Sequence, residues 1–202
     1  MKFKNLRLLF LLFILQSCVS TSIVSVWSDV NFVFDPKQPH KFVYFVQSNN
    51  QINSRIAQDE LTRISAYPSI QGYLYTKGDR INAGNREFYR TKMKQDDYDF
   101  AVLMRLVDSV QVQQSIPSES TTNVRSFYSD YSFYIDPYAY NPSYERPNTI
   151  FTIETSIYAI ETGNLVWQSL SKVYNPQSVT QAIQETSTAL IEKMKRNGFV
   201  KE

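Results

Sequence analysis

Cysteine and histidine are almost absent from this chain. Each occurs once in 202 residues, as Cys18 and His40. Zinc, haem and cysteine–histidine catalytic sites need several such side chains, so these classes of site lack their ligands. A disulfide within the chain is excluded too, because a second thiol is missing. We therefore expect no metal, no cofactor and no catalytic residue of these types.

Glycine is scarce, and long apolar runs are missing. The chain has five glycines, without a glycine-rich phosphate loop or a nucleophile elbow. The longest apolar run is Leu8–Leu15. As a helix this run would rise about 12 Å, well short of the roughly 30 Å hydrocarbon core of a bilayer. The sequence therefore predicts no membrane-spanning helix.

What the chain does have is a secretory signal in residues 1–17. Three basic side chains precede the apolar run, and two polar residues follow it. The end of this signal, Leu15-Gln16-Ser17-Cys18, resembles the bacterial lipobox, in which the cysteine is lipidated and becomes the mature N-terminus. We interpret Cys18 as the lipidation site; a buried free cysteine is the alternative.

Resemblance to bacterial lipoproteins implies a diacylglyceryl thioether on Cys18, usually with a third chain on its amine. Two or more acyl chains hold a protein at a bilayer stably, whereas one does so only marginally. The following residues, Val19-Ser20-Thr21-Ser22, lack an aspartate at the second position. By resemblance to the sorting rules of enteric-type bacteria, this favours the outer membrane, facing the periplasm. We therefore expect a lipid-anchored protein of the bacterial cell envelope.

Once the signal is removed, the chain has almost equal numbers of acidic and basic side chains. The full chain has 21 Lys plus Arg and 19 Asp plus Glu. Lys2, Lys4 and Arg7 belong to the signal, which leaves 18 basic side chains against 19 acidic ones. Nucleic-acid binding requires clustered basic residues, so we expect no nucleic-acid partner.

The chain is predicted to contain one domain. We assign residues 1–17 to the lipoprotein signal peptide, 18–39 to a lipidated N-terminal segment, and 40–202 to a single α/β domain with a Tyr-rich insertion at about 113–148. Apolar patterning favours strands at Lys41–Val46, Ile70–Thr76, Tyr98–Val112, Thr149–Ile160 and Leu165–Tyr174, and helices before Pro68, at Arg86–Lys94 and from Asn175-Pro176 onward. The predicted fold class is α/β: a two-layer sandwich, order β-α-β-α-β-β-β-α, with a mixed sheet of about five strands covered mainly by two helices.

Several stretches of this domain carry a family resemblance. They are Arg55–Glu60, Tyr98–Leu103, the Tyr-rich insertion, Thr155–Trp167 and Lys195–Phe199. Together they resemble uncharacterised bacterial lipoproteins of the domain-of-unknown-function 4136 type. Such domains are similar in architecture to the N-terminal domain of TolB, an adaptor of the cell envelope. The resemblance implies a fold and a compartment, and it carries no catalytic residues to this chain.

The insertion is unusually rich in tyrosine. It contains six of the fourteen tyrosines of the chain: Tyr128, Tyr131, Tyr134, Tyr138, Tyr140 and Tyr144. Tyrosine offers a large contact area with a polar handle, so these residues form a candidate partner surface for an envelope protein or a cell-wall component. Packing of the rings on the sheet and disorder are the alternatives.

Few residues of this chain are candidates for a catalytic role. Asp96, Asp97 and Asp99 form the densest acidic group, but their spacing lacks the glycine and the terminal glutamate of a calcium loop. We interpret His40 as an exposed loop side chain. The predicted function is a non-enzymatic binding or scaffolding module anchored through Cys18. The alternative is a carboxylate-based envelope hydrolase that uses side chains such as Asp97 or Glu154.

Overall fold

The computed structural model describes residues 21–112 and 148–200. It contains a six-stranded mixed sheet and four helices. The strands are β1 (Thr21–Ser28), β2 (Phe42–Gln47), β3 (Ser69–Gln71), β4 (Phe100–Val112), β5 (Asn148–Ala159) and β6 (Leu165–Tyr174). The helices are α1 (Gln51–Ile64), α2 (Gly72–Tyr75), α3 (Arg86–Gln95) and α4 (Val179–Arg196). The predicted α/β class is confirmed.

The strand order in the sheet is β1-β6-β5-β4-β2-β3. The pairs β1–β6, β6–β5 and β5–β4 are antiparallel, whereas β4–β2 and β2–β3 are parallel. Because β1 lies in the segment that the sequence analysis placed before the domain, the sheet has one strand more than the expected five.

Side chains along the central strands point alternately to the two faces of the sheet, so the core consists of two parts. Phe42, Phe100 and Val102 pack with α1 and α4 in one apolar cluster. Their neighbours Val43 and Ala101 point to the opposite face, where α2 and α3 contribute Tyr75, Tyr89 and Met93. The central strands are therefore covered on both faces, as their continuous apolar sequence predicts.

Local sequence accounts for the two long helices. Asn50 caps α1, since its side-chain oxygen accepts hydrogen bonds from the backbone N–H groups of Ile52 and Asn53 at 2.8 and 3.3 Å. Ser178 caps α4 in the same way through the N–H of Gln181. The prediction that Pro176 opens this helix was therefore wrong, because the cap places its first residue at Val179.

A buried carboxylate links α1 to α4. Glu60 accepts hydrogen bonds from Arg63 on its own helix at 2.7 Å and from Gln184 on α4 at 2.6 Å. The hydrogen bonds from Arg63 are the largest cause that holds the pKa of Glu60 below its ordinary value. This polar contact fixes the position of the two helices that cover one face.

The predicted strand at Ile70–Thr76 was wrong after Gln71. The chain turns into the short helix α2 at Gly72. A Cβ atom at this position would lie 2.2 Å from the ring of Phe45, so only glycine permits this close approach to β2. A tertiary contact, rather than local propensity, ends the strand here.

The sheet has two different ends. The Thr21 end is formed by the start of β1, the end of β6, the start of β5 and the end of β4, as the pairs Thr21–Val173 and Val110–Ile150 establish. At the opposite end, Phe42 and Ala159 both lie beside Phe100. The functional features described below are distributed between these two ends.

A candidate binding cleft at one end of the sheet

An open cleft of about 610 Å³ lies at the end of the sheet that contains Phe100. Three segments line it: the β1–β2 connection, the loop between α3 and β4, and the start of the β5–β6 turn. These segments meet because β2 and β5 flank β4, so their adjoining loops converge at this end. We name this end the cleft end.

Aromatic side chains form the floor of the cleft. Phe34 lies 5.6 Å from Phe100 and 6.5 Å from Phe199, measured between ring centroids. Phe32 lies 5.9 Å from Phe100 and 5.7 Å from Phe199. The backbone N–H of Phe34 also donates to the carbonyl of Phe199 at 2.8 Å, which ties the β1–β2 connection to the residues after α4. The floor is therefore held by both packing and a backbone bond.

His40 forms part of the wall of this cleft. Its Nε2 lies 2.9 Å from the backbone oxygen of Asp35, and since a carbonyl only accepts, Nε2 carries the proton. Its Nδ1 lies 3.9 Å from Oδ2 of Asp99. The ring centroid lies 4.6 Å from that of Phe34, and only 17% of the side chain is exposed. The interpretation of His40 as an exposed loop residue was therefore wrong, because aromatic contacts bury it.

Asp97 and Asp99 lie on the α3–β4 loop and have different structural roles. Asp99 Oδ2 accepts the backbone N–H of Lys41 at 2.8 Å, so this carboxylate holds the start of β2 beside β4. Asp97 has φ of 58°, the left-handed conformation that commonly ends a helix and that aspartate tolerates. Its side chain is exposed at the mouth of the cleft. Asp97 is thus a carboxylate that a ligand in the cleft can reach.

The cleft carries an excess of negative charge. Four carboxylates line it, from Asp35, Asp97, Asp99 and Glu161, against one lysine, Lys94. Lys94 Nζ lies 3.3 Å from Oε1 of Glu161, which joins α3 to the β5–β6 turn. Such a lining favours a ligand that carries positive charge, because opposite charges steer and hold an incoming group.

Asp96, next to the cleft, is a structural carboxylate. Its Oδ2 accepts hydrogen bonds from Lys92 Nζ at 2.6 Å and from the Tyr75 hydroxyl at 2.8 Å. These bonds, with Lys92 the largest cause, hold the pKa of Asp96 below its ordinary value. Burial and the bond to Asp96 raise the pKa of Tyr75. Asp96 thereby fixes the loop that presents Asp97.

The two carboxylates named for a hydrolase do not come together. Asp97 lines the cleft, whereas Glu154 lies within β5 and forms an ion pair with Arg105 on the neighbouring strand. Within residues 21–112 and 148–200, no group of three or more His, Cys, Asp or Glu side chains is arranged to hold a metal ion.

The remaining predicted site residues lie outside the described ranges. Cys18 precedes residue 21, and the six tyrosines of the candidate partner surface, Tyr128, Tyr131, Tyr134, Tyr138, Tyr140 and Tyr144, fall between residues 112 and 148. Both assignments stay predictions. In the part of the chain that the structure describes, no helix is long and apolar enough to cross a membrane.

Sequence reasoning missed the cleft, although one signal was present. The stretch Asn31-Phe32-Val33-Phe34-Asp35 alternates aromatic residues with others, which favours an extended segment with both rings on one side. The partners of these rings, Phe100 and Phe199, are far away in the chain. Local patterning could therefore indicate the extended segment but not the cleft that it forms.

Comparison with known proteins gives structural likenesses only. No family model matches the chain, and no curated protein matches its sequence. The fold is similar to PelC, a dodecamer from Paraburkholderia phytofirmans, with a TM-score of 0.42 and 8% identity over 84% of this chain and 94% of that one. It is also similar to lipoprotein GNA1162 from Neisseria meningitidis, with a TM-score of 0.38 and 9% identity over 78% and 99% of the two chains. The hypothetical protein CT253 from Chlamydia trachomatis gives a TM-score of 0.34 at 10% identity, over 80% and 96% of the two chains.

All three TM-scores lie below 0.5, so these likenesses carry no argument about function. The resemblance to lipoproteins of the domain-of-unknown-function 4136 type stays a prediction from the sequence. The features of this chain that bear on its function are the lipobox-like sequence and the geometry of the cleft.

Proposed function

We propose that this chain is a cell-envelope lipoprotein anchored through acylated Cys18, and that its domain is a non-enzymatic binding or scaffolding module. The observation that carries the proposal is the sequence Leu15-Gln16-Ser17-Cys18, which ends a secretory signal and stands three residues before the first strand. A mature chain that begins at Cys18 retains every described element of the fold. The proposed location is the outer membrane, facing the periplasm.

Acylation is tested by Cys18→Ser in the producing bacterium. The parent chain is expected to incorporate labelled fatty acid and to stay in the membrane fraction until detergent is added. The variant has no thiol to alkylate, so label and membrane retention are both expected to be lost. A Cys18→Ser chain that still incorporated labelled fatty acid would contradict the anchor.

The cleft is the proposed partner site within the described residues. Its carboxylates and aromatic floor suit a basic segment of an envelope protein or a cell-wall component with an exposed amine, because charge selects the cation and the rings supply apolar contact. The Tyr-rich insertion is a second proposed partner surface. It leaves the sheet after Val112 and returns at Asn148, at the Thr21 end.

Site-directed photo-crosslinking in intact cells tests the cleft. Val33 lines the cleft and is 57% exposed, so a photoreactive residue there can reach a bound partner. Ile191 on α4, 51% exposed, is the matched control position. We expect a discrete adduct from position 33 and none from position 191.

A charge variant then tests the electrostatic argument. Asp97→Asn removes one negative charge and keeps a residue that tolerates the left-handed conformation. Asp108→Asn removes a charge from the exposed part of β4, away from the cleft. The adduct is expected to weaken with Asp97→Asn and to persist with Asp108→Asn. Equal adducts in both variants would refute a role for the charge of the cleft.

A further inference from the structure

The link between the proposed anchor and the folded sheet is very short. Only Val19 and Ser20 separate Cys18 from Thr21, which already pairs with Val173 of β6. Three residues of fully extended chain reach at most about 11 Å. If Cys18 is acylated, as the proposed function holds, Thr21 must therefore lie within that distance of the lipid headgroups.

The sheet is much longer than this link. From Phe151 near the Thr21 end to Ala159 at the cleft end, β5 advances about 26 Å at roughly 3.3 Å per residue. The anchor thus fixes which end of the sheet lies near the bilayer. It leaves open whether the domain stands on that end or lies on its side, and the surface composition decides between these arrangements.

The Thr21 end exposes apolar side chains and carries little charge. Val107, Val110 and Tyr174 are exposed by 49%, 46% and 39%. In residues 21–24, 107–110, 149–152 and 172–178, the charged side chains are Asp108 and Lys172. Exposed valine and tyrosine suit the boundary between headgroups and acyl chains, where an apolar body and a polar tip are both solvated.

The other surfaces suit a bilayer less well. The cleft end is lined by four carboxylates, which an anionic phospholipid surface repels. The face covered by α1 and α4 carries charged side chains of both signs, among them Arg63, Glu192 and Arg196. The distribution of charge therefore favours the same orientation as the short link.

We propose that the three-residue link holds the Thr21 end of the sheet against the phospholipid headgroups, so that the cleft faces away from the membrane. Val110 and Tyr174 contact the headgroup layer, and Lys172 lies close enough to meet lipid phosphates. The cleft then lies at the distal end of β5, about 26 Å along the strand from Phe151.

Fluorescence quenching on vesicles tests this orientation. The thiol of Cys18 is blocked when acylated, so an introduced cysteine is the reactive thiol of the lipidated full-length chain. Ser109→Cys places a dye on exposed β4 near the Thr21 end, and Thr162→Cys places one on the exposed turn beside the cleft. Each protein is reconstituted in vesicles of phosphatidylcholine and phosphatidylglycerol that contain a headgroup-nitroxide lipid.

Loss of emission is expected at position 109 and not at position 162. Equal quenching at both positions would mean that the domain lies on its side, and stronger quenching at position 162 would reverse the orientation; either result overturns the proposal. Flotation of the same vesicles separates the two proposals. A chain that fails to float lacks its anchor and overturns the proposed function, whereas a chain that floats with the wrong quenching pattern overturns the orientation alone.

Two further variants test whether the short link or residues 118–147 produce the expected quenching pattern. A Gly-Ser insert of about 20 residues between Ser20 and Thr21 has a root-mean-square length of about 25 Å, so it should preserve flotation and reduce quenching at position 109. Unchanged quenching would show that the short link does not set the orientation. Replacement of residues 118–147 by a short linker should leave the pattern intact, and loss of the pattern would show that this segment, rather than the sheet end, contacts the lipid.

Discussion

The two ends of the sheet differ in what they bury. At the cleft end, the side chains of Trp167, Phe100 and Phe199 are almost completely buried beneath α4 and the β1–β2 connection. At the Thr21 end, β4 continues beyond the last pair with β2, between Gln47 and Arg105, and its Val107 and Val110 are exposed. The largest buried aromatic side chains therefore lie toward the cleft end, where their burial contributes hydrophobic stabilisation.

The two ends also differ in how their charges are arranged. Near the cleft, Lys92, Lys94 and Lys41 bind specific partners: the Asp96 carboxylate, the Glu161 carboxylate and the Asp96 backbone oxygen, respectively. At the Thr21 end, Asp108 and Lys172 lie on exposed or half-buried strand positions. The less charged Thr21 end is the one that the proposed orientation places against the lipid.

The largest effect is expected from the buried tryptophan. Trp167 is 0% exposed and lies 6.3 Å from Phe199, whereas Trp27 is 39% exposed. Trp167→Ala should lower the free energy of unfolding by about 3 to 5 kcal/mol, because it leaves a large cavity. Trp27→Ala should lower it by about 1 kcal/mol or less. Chemical denaturation of the mature Cys18→Ser chain measures both, and equal losses would contradict the assignment of the core to this face.

A smaller effect is expected at the Thr21 end. If the connection between Val112 and Asn148 is appended to the sheet, replacing residues 118–147 by about six Gly and Ser residues should leave the fold intact. Shortening the closed loop about threefold should raise the free energy of unfolding by roughly 1 kcal/mol. Thermal melting of the same chain tests this. Loss of cooperative melting would show that the tyrosines belong to the core, which would remove the contrast between the two ends.

The contrast explains which parts of the fold could be predicted from sequence. The strands at Phe42–Gln47, Phe100–Val112 and Leu165–Tyr174 follow from continuous apolar residues in short windows. The spacing of Ile183 and Leu190, which are both buried on α4, is typical of one apolar helix face. These elements are specified by neighbours in the chain, and periodicity detects them.

The errors fall where distant residues decide the structure. In α3, local patterning does not distinguish Phe88, which is 63% exposed, from Tyr89, which is buried. In the β5–β6 hairpin, an irregularity after the pair Ile157–Trp167 places Tyr158 opposite Leu165, whereas an unbroken ladder would place it opposite Val166. Neither outcome can be read from a local pattern.

The candidate site was harder to predict than the fold. His40 lies near the carboxylate of Asp99. Phe34 contacts Phe199, although most of the chain separates these two residues in sequence. Each residue is unremarkable in its own segment, and the cleft arises only when β2, β4 and β5 are aligned. Asp97, a carboxylate named for the hydrolase alternative, lines the cleft, whereas Glu154, named with it, is paired with Arg105 elsewhere in the sheet.

The smallest effect is expected from acid at the cleft end. Because hydrogen bonds from Lys92 and Tyr75 lower the pKa of Asp96 in the folded chain, its ionised form favours folding above the ordinary aspartate pKa of 3.8. This contribution is lost as the pH falls through the lowered pKa of the folded state. Asp96→Asn should therefore destabilise the chain slightly at pH 7 and make no difference in strong acid. Urea unfolding of both chains at several pH values measures the convergence, with Asp108→Asn, at the Thr21 end, as a control expected to match the parent at pH 7. A difference between Asp96→Asn and the parent that stayed constant down to strong acid would show that the Asp96 charge does not hold the cleft loop.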